Sequence, residues 1–406
     1  MRILLANESR AGAGGVETYL AAVTEGLRRR GHEVALLFAN TAAETGPTEI
    51  PAAQWWSVAD SGLAAAVEQA MRWRPDVCFA HNMRDLDIDR AVLDGGPVVK
   101  MMHGYFGTCV SGQKAFLAPA PVPCDRVCGP ACLVHYLPRR CGQLRPIEVV
   151  SNYRWASRQR SLFERYRSVV VASGHMRDEY LAHGLRADGV HAIPLFAAAA
   201  PSAALPRVPS IDLLFLGRMT DLKGPSLLLD AAGRAAAALG RRVSIVMAGD
   251  GPLAASLRAK AARIDHVDAA FPGWVDAPAR AALFARTTLL AVPSVWPEPF
   301  GLVGLEAAAF GIPAVAFDVG GIREWLTEGV NGRLIAPGDT AAMGDACAAV
   351  LRDAAYRARL SDGARAAAAR LSPDAHLSRL EAVLDPARMN GSRAKPLDRN
   401  QCTGIC

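Results

Sequence analysis

Short apolar runs alternate with stretches of helical periodicity along the whole chain. Arg2–Asn7 reads as an apolar strand, and Gly12-Ala-Gly-Gly15 follows it. Val16–Arg30 then places Val16, Leu20, Val23 and Leu27 at helical spacing and stops at Gly31. Glu33–Phe38 is the next strand, so the chain opens as strand, glycine loop, helix, strand, the start of a doubly wound sheet. Val77–Ala80, Val98–Met102, Ser168–Ala172 and His191–Pro194 continue it. An alanine- and proline-rich stretch, Ala197–Pro209, reads as a linker, and the pattern then restarts. Strands are predicted at Ile211–Leu216, Val243–Ala248, Val267–Phe271, Leu289–Pro293 and Ala314–Phe317, with helices at Leu227–Leu239 and Leu253–Ala262 between them. Pro373–Leu384 is a last helix.

This order predicts an α/β protein of two Rossmann-like doubly wound domains facing across a cleft. Their expected extents are 1–196 and 210–372, joined by a linker over 197–209. A helix over 373–386 is expected to pack back on the first domain, and 387–406 to be a disordered tail. The first domain carries a Cys- and Arg-rich insertion over 104–167.

Bulk properties narrow the class. The 406 residues are 51% hydrophobic and 21% charged, which is globular and suits two cores. A net charge of +6 is too mild for a nucleic-acid protein but allows weak attraction to anionic lipid. No apolar run reaches the roughly 18–20 residues of a membrane span. The first residues enter a strand directly, so a signal peptide is not expected and a cytoplasmic location, with contact at the inner membrane face, is. The nine cysteines are then expected as reduced thiols or metal ligands.

The strongest chemistry lies in Glu298-Pro-Phe-Gly-Leu-Val-Gly-Leu-Glu306. Pro299 and Gly301 suit a helix entry, while Gly311 and Pro313 stop the helix predicted over Leu302–Phe310. Free N–H groups at Gly301, Leu302 and Val303 would form an anion site strengthened by the helix dipole. Glu298 would precede that site and Glu306 lie about 8 Å beyond its start. Carboxylates suit sugar and ribose hydroxyls and repel phosphate, so their separation around a phosphate site is sensible. Arg218 and Lys223, at the end of Ile211–Leu216 beside Gly217 and Gly224, are placed to neutralise a diphosphate. Turns at Gly249-Asp-Gly-Pro252 and Phe271-Pro-Gly-Trp-Val275 follow the next strands, and backbone at Gly273 and Val275 would meet a flat base.

Together these pieces, with Val319-Gly-Gly-Ile-Arg-Glu324 and Gly329-Val-Asn-Gly-Arg-Leu334, resemble the retaining glycosyltransferases of family 4 (group 1), which have the GT-B fold. The resemblance implies transfer of a sugar from a nucleotide-diphosphate sugar to an acceptor hydroxyl, in polysaccharide or glycolipid synthesis, with no required metal or cofactor. It implies catalytic roles for Glu298, His103, Arg218 and Lys223. It implies donor contacts at Gly14, Gly15, Gly217, Gly249, Gly301, Leu302, Val303 and Glu306, with Glu306 on the ribose. The acceptor would be a carbohydrate or lipid-linked. A sugar-nucleotide epimerase on the same fold, or a non-catalytic nucleotide-sugar binder, is the alternative.

Rival motifs are weaker. The glycine loop at Gly12 departs from a dinucleotide fingerprint, because residue 17 is Glu17. Asp87-Ile-Asp89 has the spelling of a metal–diphosphate motif but reads as a polar loop. Cys124, Cys128, Cys132 and Cys141 could hold a structural zinc, although their spacing is not that of paired knuckles, and reduced thiols or a disulfide stay open. Arginines 139–167, interleaved with Tyr136, Tyr153, Trp155 and Tyr166, read as a solvated surface or as a patch for anionic lipid.

Overall fold

The computed structural model describes residues 1–12, 14–41, 46–142, 145–197 and 208–387. Most of the expected linker and nearly all of the expected tail lie outside these residues.

Two parallel sheets form the molecule. The first contains β1 (Arg2–Asn7), β2 (Glu33–Phe38), β3 (Gln54–Ser57), β4 (Val77–Ala80), β5 (Val98–Met102), β6 (Ser168–Val171) and β7 (Val190–Ala192). Their spatial order is β7-β6-β5-β4-β1-β2-β3. The second contains β8 (Ile211–Leu216), β9 (Val243–Ala248), β10 (Val267–Gly273), β11 (Thr287–Val292), β12 (Ala314–Phe317) and β13 (Gly332–Ile335), in the order β10-β9-β8-β11-β12-β13. Helices connect most successive strands, and the inner strands are buried along their length. That is why they read as continuous apolar runs rather than alternating ones.

In each sheet the order of winding reverses once. The reversal lies between β1 and β4 in the first sheet and between β8 and β11 in the second. Two crossovers leave such a point in opposite directions, and a crevice opens at the carboxyl ends of its strands. Functional residues are expected there.

The helix Pro373–Leu384 leaves the second domain and docks on the first. Leu377, Leu380 and Leu384 join Leu20 and Leu27 in one core. Gly26 allows the approach, because a Cβ there would lie 2.4 Å from Leu377. His376 Nε2 meets the Tyr19 hydroxyl at 3.0 Å, and Arg30 pairs with Glu381 at 2.8 Å.

One reading of the sequence needs correcting. Asp87-Ile-Asp89 is not a loop but sits in the first turn of the helix Leu86–Gly95, capped by Asp85. Asp89 is buried and takes the ammonium of Lys100, from the middle of β5, at 2.7 and 2.9 Å. The Tyr166 hydroxyl donates to the same carboxylate at 3.1 Å, and Gln159 donates to Tyr166 at 2.9 Å. A buried pair of this kind is far costlier to break than to replace. Lys100→Met should therefore lower unfolding free energy by about 3–5 kcal/mol. Lys100→Met with Asp89→Leu should recover most of that loss in urea titrations.

Candidate active site

The reversal of the second sheet places the loops after β8 and β11 side by side. Their approach depends on Gly224, whose φ is +63° and whose Cβ, if present, would lie 2.0 Å from the Pro293 carbonyl oxygen. The Val295 and Trp296 amides donate to the Leu222 carbonyl at 3.0 and 3.1 Å, locking the two loops together. Lys223 Nζ is thereby held 2.6 Å from Glu298 Oε1, and the Ser294 hydroxyl donates to the same oxygen at 2.5 Å. Glu298 is only 5% exposed. Both bonds fall on Oε1, which leaves Oε2 without a protein partner among the described residues. Lys223 also lies 4.7 Å over the Trp296 ring.

Glu298 is clamped from behind. Gly321 N–H donates to its carbonyl at 2.6 Å, and a Cβ on Gly320 would lie 2.3 Å from that oxygen. Beyond it, Gly301 caps the helix Leu302–Ala309 in the left-handed region at φ +81°, with no side chain bonded to the helix start. Trp325 fixes this turn, donating from its indole to the Phe300 carbonyl at 2.8 Å and pressing its ring on Gly304. The helix start at Leu302 and Val303 thus has no side-chain cap on its first N–H groups.

Glu306, expected to hold the donor's ribose, lies 3.4 Å from Arg280 of the helix Ala277–Arg286. Burial raises its pKa, and Arg280 offsets this in part. The turns after β8, β9 and β10 converge as well. Gly249, at φ +129°, fits against Gly217, since a Cβ there would lie 2.0 Å from the Gly217 oxygen. Its N–H donates to Gly273 at 2.7 Å, and Val275 follows at the same rim. Arg218 is exposed and has no side-chain partner among the described residues.

His103 belongs to the other side. It follows β5, and its Nε2 meets His81 Nδ1, at the end of β4, at 3.0 Å. Burial, aided by the nearby Lys100 charge, lowers its pKa to about 3, so it is neutral near pH 7. No hydrogen bond joins His103 to Glu298 among the described residues, but Tyr105 does span the domains. Its hydroxyl donates to the Pro297 carbonyl at 2.6 Å. Glu324 of the second domain likewise accepts the Gly174 N–H at 2.7 Å.

The reversal of the first sheet opens a cavity of about 840 Å³, lined by Gly14 and Gly15 at the start of the helix Gly15–Arg29 and floored by Asn7, His81 and Lys100. Sequence reasoning missed Lys100. Its signal was a lysine inside an otherwise apolar strand, Val98-Val-Lys-Met-Met102.

The four-cysteine zinc site is not formed: among the described residues no three metal-ligating side chains converge. The seven described cysteines are free, and Cys132 hydrogen-bonds with Cys128, which draws its thiol down to about 6. Several arginines of the insertion are engaged rather than free, as Arg165 is with Asp94 at 2.6 Å and Arg158 with Asp87 at 3.0 Å.

Two parallel-sheet domains, each with a site at its reversal, define the GT-B architecture. The chain belongs to the glycosyltransferase family described by two matching models, "Glycosyltransferase Family 4" over residues 13–196 and "Glycosyl transferases group 1" over 210–353. It is 30% identical over 217 residues to a phosphatidyl-myo-inositol mannosyltransferase of Mycobacterium leprae, covering 53% of this chain and 55% of that protein. It is 38% identical over 164 residues to a D-inositol 3-phosphate glycosyltransferase of Frankia alni, covering 37% and 39%. The chain thus spans about half, or less, of the length of these curated relatives. Anabaena HepE, solved with UDP, has the same fold, with TM-score 0.66 and 21% identity over 95% of this chain and 99% of that one. Sucrose-phosphate synthase of Thermosynechococcus elongatus also shares it, with TM-score 0.63 and 20% identity over 94% and 98%.

The raised pKa of Glu306 sets a pH dependence. Between 4.5 and its raised value, the folded chain keeps a proton that the unfolded chain has released. Stability should fall as pH rises through that window. Glu306→Gln should flatten the fall, as read from denaturant midpoints across pH.

Proposed function

We propose that the protein is a retaining, metal-independent glycosyltransferase that takes a sugar from a nucleotide-diphosphate donor. The observation that carries this is the Lys223–Glu298 pair beside the uncapped helix start at Gly301. In this reading the diphosphate draws Lys223 to itself and is met by Arg218 and the amides of Leu302 and Val303. Glu298, freed from Lys223, accepts hydroxyls of the donor sugar. Glu306 exchanges or shares Arg280 with the ribose, and backbone at Gly273 and Val275 edges the base. The complexes of HepE with UDP and UDP-glucose support a donor of this class.

As the diphosphate leaves, positive charge grows on the anomeric carbon and negative charge on the departing oxygen. Lys223, Arg218 and the helix start stabilise the latter, a contribution worth about 10²–10³ in rate for one well-placed donor. The acceptor hydroxyl enters from the cavity of the first domain, on the face the phosphate leaves, and the phosphate takes its proton. No side chain is then needed as nucleophile. His103, neutral and held by His81, faces the sugar as a hydrogen-bonding group rather than a cation. Asp87 and Asp89 are held by Arg158 and Lys100, which supports chemistry without an Asp-x-Asp metal bridge.

The names of the relatives support an acceptor in glycolipid or polysaccharide synthesis. Peripheral attachment to anionic membrane is part of the same reading. On the helix Pro146–Ser161, Ile147 is 85% exposed, and Val150 and Arg154 are also exposed beside it. No described helix is long and apolar enough to cross a membrane.

A thermal-shift screen of UDP, GDP and ADP sugars should give stabilisation with one base class. Glu306→Gln should weaken that donor roughly 10-fold or more, the loss of one charge-assisted bond. Glu298→Gln should leave donor affinity near wild type and slow transfer roughly 100-fold. Proton NMR of the product should report the donor's anomeric configuration, and an inverted product rejects the mechanism. Binding to anionic vesicles should weaken with Ile147→Asp.

A further inference from the structure

One aromatic side chain stands between the two domains with its polar end idle. Trp296, in the loop after β11, is partly buried, and its indole N–H is buried without a hydrogen-bond partner among the described residues. An unpaired buried donor disfavours tryptophan here, a penalty that phenylalanine or leucine would escape. The face of the ring is what is used. Lys223 Nζ stands 4.7 Å from its centroid, and tryptophan is the aromatic side chain that attracts a cation most strongly.

The ring is fixed from two sides. The Trp296 amide donates to the carbonyl of Leu222, the residue before Lys223, at 3.1 Å, so ring and ammonium spring from bonded backbones. From the first domain, the Tyr105 ring meets it edge to face, with centroids 6.4 Å apart and planes at 84°. Tyr105 is itself fully buried and lies against His175 at 6.2 Å. Its hydroxyl bonds to the carbonyl of Pro297, the next residue of the same loop, at 2.6 Å. One tyrosine of the first domain therefore grips two neighbouring residues of the second.

The two partners of Lys223 differ in what they take from it. Glu298 Oε1 accepts one of its three N–H groups at 2.6 Å. The ring attracts the charge as a whole. An ammonium on the ring thus keeps its other N–H groups for an anion, and it stays held when the bond to Glu298 is given up.

We propose that Trp296 is a positioning residue for Lys223, whose ring face holds the ammonium ready for the donor diphosphate, and that Tyr105 sets the ring. The first domain thereby acts on donor binding without touching the donor. The diphosphate in this statement rests on the donor-site reading given above, whereas the contact of ring and ammonium does not.

Two measurements on the full chain test it. The first needs no ligand. Lys223 is one of five lysines in the sequence, so its ε-methylene protons can be read by NMR of lysine-labelled protein and assigned with Lys223→Met. The ring current should move them upfield of an ordinary lysine. Trp296→Leu should abolish that shift, Trp296→Phe should keep most of it, and Tyr105→Leu should reduce it. The second is calorimetric titration with UDP, GDP and ADP, the tightest of which for wild type is carried to the variants. Trp296→Leu should weaken it roughly threefold to tenfold, and Trp296→Phe much less. In a Lys223→Met background, Trp296→Leu should add little, because the ring acts through the cation. An ordinary Lys223 shift in wild type, a shift unchanged in Tyr105→Leu, equal losses in Trp296→Phe and Trp296→Leu, or a full Trp296→Leu loss in the Lys223→Met background would overturn the proposal. A wild type that shows the upfield shift and binds none of the three nucleotides would instead strike the donor-site reading and leave the contact standing.

Discussion

Glu298 is buried with Lys223 standing 2.6 Å from it, and that proximity is itself a product of the backbone. A side chain at Gly224 would collide with the Pro293 carbonyl, so only glycine lets the loop after β8 lie on the loop after β11. Gly320 and Gly321 perform the same service on the other side of Glu298. The charge pair holds the empty site together and is also what a diphosphate would disturb. On the proposed reading, a cation taken by an arriving anion would release a carboxylate for hydroxyls, so that donor binding and sugar positioning would become one event.

The two domains repeat this logic with different chemistry. Each reversal of strand order opens a crevice, and each crevice is floored by an ion pair brought from two elements: Lys223 with Glu298 in the second domain, Lys100 with Asp89 in the first. The first pair lies at loop ends and leaves one carboxylate oxygen unbound. The second is locked by Tyr166 and Gln159 and fixes the cavity floor. Tyr105, two residues beyond His103, bonds to the carbonyl just before Glu298 and so links the two domains.

The sequence made the buried strands legible because both of their faces are apolar: β1, β2, β4, β5, β8, β9 and β12 occupy the predicted spans. The edge strand β3 escaped because its residues, with Trp55 exposed, carry no such run. The glycine turns and the Glu298–Glu306 segment were readable because left-handed backbone and helix entry demand particular residues. Pairings between distant segments were not. Arg280 against Glu306, and Asp89 against Lys100, depend on which elements pack together, and spacing along the chain does not encode that. The Asp-x-Asp spelling misled for the same reason: its helix turns Asp89 inward to a lysine no local pattern announces. The cysteines do come near one another, since Cys132 raises the thiol pKa of both Cys124 and Cys141, yet among the described residues no three metal-ligating side chains form a metal site.

The central claim is that Lys223 leaves Glu298 for the donor's diphosphate. Phosphorus NMR of the nucleoside diphosphate of the matching base class, titrated with protein, tests it most directly. Wild type should shift and broaden the phosphate resonances, and Lys223→Met should abolish most of that response while the chain stays folded. Phosphate signals that wild type leaves untouched, or that Lys223→Met perturbs as strongly as wild type, would contradict the account.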